Sequence, residues 1–246
     1  IQYRITDPWA DPPGHEQFHT EKLIRLPHGF LCYAPPQDAP GVSPLPAQTN
    51  GYLTLGSFNV LAKTTPQVAA LWADILTALP NARLLLKNRA LADSATRERC
   101  HALFEARGIA RERVELLDWL PSRKAHLDLY GRIDIALDTF PYNGTTTTCE
   151  ALWMGVPVIT LAGDRHAGRV GVSLLSRMDL TELIAQSPEE YVRLAVELAG
   201  DTDRLVQLRA GLRERMKNSG LCNAPAFTRD LEQAYREMWV KWCEQN

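Results

Sequence analysis

The 246 residues carry a formal net charge of -2, with 45% hydrophobic and 23% charged residues, the composition of a soluble globular chain long enough to bury a sizeable core. That balance excludes a global basic field for nucleic acid or an anionic membrane, and no apolar run reaches the roughly 20 residues of a membrane helix. Five scattered cysteines (Cys32, Cys100, Cys149, Cys222 and Cys243) include no CxxC pair, which argues against a disulfide framework or structural zinc site and for reduced thiols, each filling a small apolar space in a cytoplasmic protein.

Residues 1–50 are dense in proline, from Pro8 to Pro46. Proline lacks the backbone donor that helices and central strands need, so an irregular wrap is expected, with one short helix near His15–Lys22. Its apolar residues, among them Tyr3, Trp9, Leu26 and Phe30, require something to pack on. The chain opens on Ile1 without an initiator Met, and a preceding segment is expected.

From Gly51 short apolar runs alternate with amphipathic ones. Strands are expected over 52–58, 83–87, 114–117, 133–137 and 156–161, with a short one at 183–184. Between them lie helices over 66–79, 94–107, 122–130, 146–154 and 169–178, and three more near 188–199, 201–217 and 225–243. Strands that are apolar throughout and alternate with helices make a parallel sheet covered on both faces. The fold class is therefore α/β, a doubly wound, Rossmann-like parallel sheet over 51–246. In such sheets ligands bind beyond the carboxyl ends of the strands, where the strand order switches.

The stretch DIALDTFPYNGTTTTCEALWMGVPVITL, 134–161, is the most informative. An apolar strand runs into a turn-rich loop, and four threonines, Thr145 to Thr148, then open a helix. The free N–H groups of a helix start favour an anion. Threonine hydroxyls add donors, and Gly144 lets a ligand approach the backbone. One cap needs one hydroxyl, so the run reads as a pyrophosphate cradle, with an ordinary capped helix as the alternative. Glu150, one turn further in, has the chemistry to accept ribose hydroxyls. It is equally readable as a surface acid. Lys63, in the loop FNVLAKTTP, is placed to neutralise a diphosphate, or is simply solvated. The loop WLPSRKAH offers Arg123, Lys124 and His126, or an exposed basic turn. Asp134 and Asp138 read as structural acids. There is no Walker-type loop, GxGxxG or GxSxG, which argues against an NTPase, a dinucleotide oxidoreductase and an α/β-hydrolase.

FNVLAK followed by TTP, then WLPSRKAH, then LDTFPYNGTTTTCEALWMGVPVITLAGDRHAGRVGVSLL, with the early YRITDPWADPPG and TEKLIRLP, resembles the protein O-GlcNAc transferase family in one order over nearly the whole chain. The resemblance implies the C-terminal lobe of a two-lobed GT-B glycosyltransferase that holds UDP-GlcNAc. It implies Lys63 on the diphosphate and needed for activity; Thr145, Thr146 and Thr147 on phosphate; Glu150 on the ribose; and Arg123 and His126 over uracil and ribose. Val60 stands where the family often has Gln or Asn. The family's first catalytic lobe and its tetratricopeptide repeats would precede Ile1, with residues 1–50 entering from that lobe. The activity implied is inverting transfer from UDP-GlcNAc to a protein Ser or Thr without a required metal. A UDP-glucose-dependent protein glucosyltransferase, a non-catalytic nucleotide-binding module and a plain interaction domain stay open. The last helix, with Tyr235, Trp239 and Trp242, is expected either to pack across the lobes or to join the core of this one.

Overall fold

The computed structural model describes residues 1–245. Its centre is a six-stranded, all-parallel sheet in the order β5-β4-β3-β6-β7-β8. Two four-residue strands come first, β1 (Tyr3–Thr6) and β2 (Lys22–Arg25), paired parallel to one another and outside the main sheet. A short helix α1 (Pro46–Asn50) precedes β3 (Thr54–Ser57). Then follow α2 (Pro66–Ala78), β4 (Arg83–Lys87), α3 (Ser94–Glu105), β5 (Val114–Leu117), α4 (Arg123–Asp128), β6 (Ile135–Leu137) and α5 (Thr146–Trp153). The chain closes with β7 (Val158–Leu161), α6 (Val170–Ser176), β8 (Ile184–Ala185), α7 (Pro188–Gly200), α8 (Thr202–Asn218) and α9 (Ala224–Gln245).

Local chemistry accounts for these boundaries. Thr65, Asp93, Ser187 and Asp201 each accept a hydrogen bond from a backbone N–H in the first turn of α2, α3, α7 and α8, and Pro66 and Pro188 fill the first helical position where no N–H is needed. Gly108 follows α3 with φ +76°, a conformation that costs glycine little. The three leucines of β4, Leu84 to Leu86, are all buried, as expected where both faces of a parallel sheet are covered. Beneath the sheet α2 meets α7, where the Trp72 indole N–H donates to the Tyr191 hydroxyl at 3.2 Å and that hydroxyl donates to the Asp138 carbonyl at 2.9 Å.

The first fifty residues differ from the irregular wrap expected. They carry the β1–β2 pair and α1, and the short helix expected near His15–Lys22 is a 3-10 turn, His15–Phe18, so that Lys22 lies in a strand. Two runs of four residues on a partly exposed ribbon give too little periodicity to stand out among prolines. The segment is anchored by Asp11, whose side chain is fully buried. Its carboxylate accepts from the Thr6 hydroxyl at 2.5 Å and meets His166 Nδ1 at 2.7 Å and His19 Nε2 at 3.1 Å. Burial alone would raise that carboxyl; the hydrogen bonds from Thr6, His166 and His19 hold it down at about 2.

The cysteines are all free. Cys100 and Cys149 are buried, Cys32 and Cys222 are half-buried, and Cys243 is exposed, so it fills no apolar space. It sits on α9, whose Ala234 alone is buried among the described residues. Tyr235, Trp239 and Trp242 on that helix are 54%, 61% and 51% exposed, which rules out core packing within this unit as their role. Trp239 and Trp242 stack on one another with ring centroids 5.1 Å apart.

Candidate functional site

β3 pairs with β4 on one side and β6 on the other, so the order of the sheet switches direction between β3 and β6. The loops leaving the carboxyl ends of these two strands meet there, as the rule for open α/β sheets requires of a ligand site. The loop after β3 carries Lys63 at the end of a 3-10 turn, Leu61–Lys63. The loop after β6 leads into α5.

Lys63 is half-buried. Its Nζ donates to the Asn143 carbonyl at 2.8 Å and lies 3.7 Å from the centroid of the Tyr142 ring. Burial lowers its pKa, with the charge of Asp138 opposing. The loop after β6 is shaped from beneath by Asp138, which is 1% exposed. Its carboxylate accepts from the Thr139 N–H at 2.9 Å, the Gly144 N–H at 2.7 Å and the Thr160 hydroxyl at 2.8 Å. Burial pushes this carboxyl up to about 6 against those bonds and Lys63. Asn143 closes the loop: its amide donates to the Thr139 carbonyl at 2.9 Å and accepts from the Gly171 N–H at 3.1 Å. Asp134, just before β6, accepts from the Ala47 and Thr54 N–H groups. Both aspartates thus shape the backbone.

The start of α5 has no side-chain cap: Thr145 sits at φ -121°, ψ -78° and its hydroxyl accepts nothing from the first turn. The dipole and free N–H groups of that helix start are left for another acceptor. Thr146 is exposed, Thr145 and Thr147 are half-buried, and Thr148 is buried in the core. The Thr147 hydroxyl donates to Asn59 Oδ1 at 2.9 Å, linking the helix to the end of β3. Glycine is required at 144, because a Cβ there would stand 2.6 Å from Thr147 Oγ1, 2.7 Å from Thr148 Oγ1 and 2.9 Å from Asn59 Oδ1.

One turn along α5, buried Glu150 lies with its Oε2 2.9 Å from His126 Nε2 and 3.4 Å from the Tyr130 hydroxyl. The Tyr130 hydroxyl also lies 3.2 Å from the Thr147 carbonyl. Phe58, His126 and Tyr130 form one aromatic group, with centroids 4.7 to 5.9 Å apart. Arg123 is exposed at the first turn of α4. It bears electrostatically on buried Tyr33, whose phenol is pushed up by burial and then by Glu150, with Arg123 opposing. The structure therefore brings Thr147, His126 and Glu150 together, with His126 against Glu150 and Tyr130 reaching both Glu150 and the Thr147 carbonyl, while Lys63 holds the loop before α5 at Asn143. Thr145 and Thr146 lie at the open helix start and Arg123 on the rim. Val60 is 60% exposed beside them. Sequence reasoning missed Asn59, Lys87, Tyr130 and Asn143. Lys87 was the most findable, a cation closing an apolar strand at its carboxyl end.

Among the described residues no group of three or more His, Cys, Asp or Glu side chains is arranged to hold a metal ion, and no helix is long and apolar enough to cross a membrane.

The chain is similar in sequence and fold to known proteins. The chain is 49% identical over 244 residues to the probable UDP-N-acetylglucosamine–peptide N-acetylglucosaminyltransferase SPINDLY of Petunia hybrida, covering 99% of this chain and 26% of that protein. It is 31% identical over 253 residues to the similarly named SEC of Arabidopsis thaliana, covering 99% and 25%. The chain thus spans about a quarter of the length of these relatives. A mutant of the Thermobaculum terrenum O-GlcNAc transferase superposes with a TM-score of 0.94 at 43% identity, over 100% of this chain and 46% of that one. Sucrose-phosphate synthase of Thermosynechococcus elongatus shares the fold, with a TM-score of 0.61 at 19% identity over 97% of this chain and 59% of that one; the sheet and its flanking helices are those of a GT-B C-terminal lobe. The profile of glycosyl transferase family 41 matches residues 46–231, and the chain belongs to that family.

Proposed function

We propose that this chain is the donor-binding lobe of an inverting glycosyltransferase that moves N-acetylglucosamine from UDP-GlcNAc to Ser or Thr hydroxyls of proteins. The observation that carries the reading is the convergence of Lys63 and the uncapped start of α5 at the β3–β6 switch point, with Glu150 and His126 one helical turn beyond. A diphosphate seated at the helix start lies on N–H donors and near an ammonium, and a nucleoside running towards Glu150 meets a carboxylate suited to its ribose diol. The names of the SPINDLY and SEC relatives and of the Thermobaculum transferase support the donor and the peptide acceptor.

In the proposed step the acceptor oxygen bonds to the anomeric carbon while the bond from that carbon to the β-phosphate oxygen breaks. The electron pair leaves on UDP, where Lys63 and the α5 N–H groups receive the growing charge. The reading gives a metal no part in this step. The acceptor proton is taken up outside this chain, in a preceding catalytic lobe, and tetratricopeptide repeats before that lobe would present the protein acceptor. The free cysteines support a reducing compartment, and we place the protein in the cytoplasm.

The test is calorimetric titration of the folded chain with UDP, UDP-GlcNAc, UDP-glucose and a GDP-sugar. Saturable binding of UDP, with UDP-GlcNAc tighter than UDP-glucose, is expected. Preference for another sugar or another base replaces the donor assignment, and no nucleotide binding overturns the site.

A further inference from the structure

Lys87 is the last residue of β4, one strand away from the switch point, and half-buried. Its Nζ lies 3.2 Å from His126 Nδ1, while Nε2 of the same ring lies 2.9 Å from Glu150 Oε2. An ammonium has three donors and no acceptor, and a carboxylate only accepts. These two neighbours together dictate where the imidazole proton resides. Nδ1 must offer its lone pair to Lys87, so the proton sits on Nε2 and is donated to Glu150. A second proton on Nδ1 would face an ammonium donor-to-donor and charge-to-charge.

The other titratable groups around the ring do not alter this logic. The Tyr130 hydroxyl proton is shared between the Thr147 carbonyl at 3.2 Å and the same Glu150 oxygen at 3.4 Å, and Tyr33 lies within electrostatic range of both Glu150 and Arg123. Burial lowers the pKa of Lys87, with Glu150 opposing, and Glu150 is the acid that faces it through the ring. The result is an ordered chain from ammonium through neutral imidazole to carboxylate. It occupies Glu150 Oε2, and Oε1 takes no hydrogen bond from the described residues.

We infer that Lys87 is a positioning residue: through the Nε2–H tautomer of His126 it holds one oxygen of Glu150, leaving the other for the vicinal diol of a nucleoside. The diol assignment rests on the nucleotide-sugar reading above, whereas the proton arrangement does not. A charged or doubly donating His126 would turn the ring away from Lys87 and release Glu150 to swing. The hydroxyls recognised are therefore chosen by a lysine that does not touch them.

The experiment reads the ring directly, by side-chain nitrogen NMR of the histidine-labelled chain, with His126→Gln assigning the signal. The parent chain is expected to show the Nε2–H tautomer near pH 7. Lys87→Met, which removes the donor facing Nδ1, is expected to show an Nδ1–H signal beside the Nε2–H one. Lys87→Arg, which keeps a cationic donor, is expected to restore the parent signal. An Nδ1–H or doubly protonated ring in the parent, or no change in Lys87→Met, overturns the proposal. Should Lys87→Met not fold, the parent tautomer and Lys87→Arg still decide it. Titration with UDP and 2′-deoxy-UDP is the second arm: the preference for UDP is expected to fall about tenfold in Lys87→Met. If neither binds the parent, the nucleotide reading fails while the tautomer result stands; if both bind and the preference is unchanged, Lys87 does not position Glu150 for the diol.

Discussion

Lys63 Nζ donates to the main-chain carbonyl of Asn143 across 2.8 Å, so the cation proposed to meet a diphosphate already joins the loops after β3 and β6. A diphosphate arriving at the start of α5 meets an ammonium whose position is set and whose remaining donors are available. Removing it costs the ligand a charge-assisted contact and the loops a tie. Lys63→Ala is expected to weaken UDP binding about 10- to 100-fold with little change in thermal midpoint, measured by calorimetry and by thermal unfolding on the same samples.

Gly144 tests the helix start without touching a charge. A methyl group at that position has no room against the Thr147 and Thr148 hydroxyls and Asn59. Gly144→Ala is expected to lower stability by about 1–3 kcal/mol and to abolish detectable UDP binding, because the relief of the clash moves Thr147 away from Asn59. Denaturant unfolding and a UDP titration check both parts.

The hydroxyl of Tyr191 is buried between the Trp72 indole and the Asp138 carbonyl. Tyr191→Phe leaves both of those groups unpaired in the core. The expected cost is about 1–3 kcal/mol of folding stability, with nucleotide affinity reduced less than in Lys63→Ala, since the backbone of the loop keeps its Asp138 side-chain bonds. Chemical denaturation and calorimetry separate the two effects.

Two buried carboxylates give stability opposite dependences on pH. Asp11, held at about 2 against an ordinary 3.8, contributes stability that is present above its unfolded value and lost as pH falls from about 4 to about 2. Asp138, raised to about 6, favours the folded chain as pH falls from about 6 to about 4, because the folded state then takes up the extra proton. Asp11→Asn is expected to cost about 2 kcal/mol near neutrality and to flatten the acid limb below about pH 4. Urea unfolding of both chains from about pH 7 to about pH 2 checks the sign.

Much of the sheet and part of the site are legible in the amino-acid order. Apolar runs such as RLLLK and VELL form β4 and β5 with their ends where expected, since hydrophobic periodicity is a local property. The four threonines and Gly144 announce a helix start with surplus donors. What stays hidden depends on partners far away in sequence. Asp138 reads as structural, but its partners are hidden, because the Thr160 hydroxyl and the Gly144 amide reach it only once the loop has folded over it. Lys87 looks like any strand-ending lysine until β4 sets it opposite His126. The β1–β2 pair is masked by proline, and its anchor, Asp11 against His166, spans 155 positions.

The adjacency of β3 and β6 also bears on how the site comes into being. Lys63 and Asn143, which join its two halves, are 80 residues apart along the chain, and β4, β5 and β6 with their helices lie between them. Closing so long a loop costs entropy that only completed strand pairing returns. No part of the chain ending before β6 contains even a weakened version of the cradle, and a partly folded chain has no grip on nucleotide. On the proposed function, nucleotide binding would report the pairing of β3 with β6, and during biosynthesis it could arise only after α5 has been made.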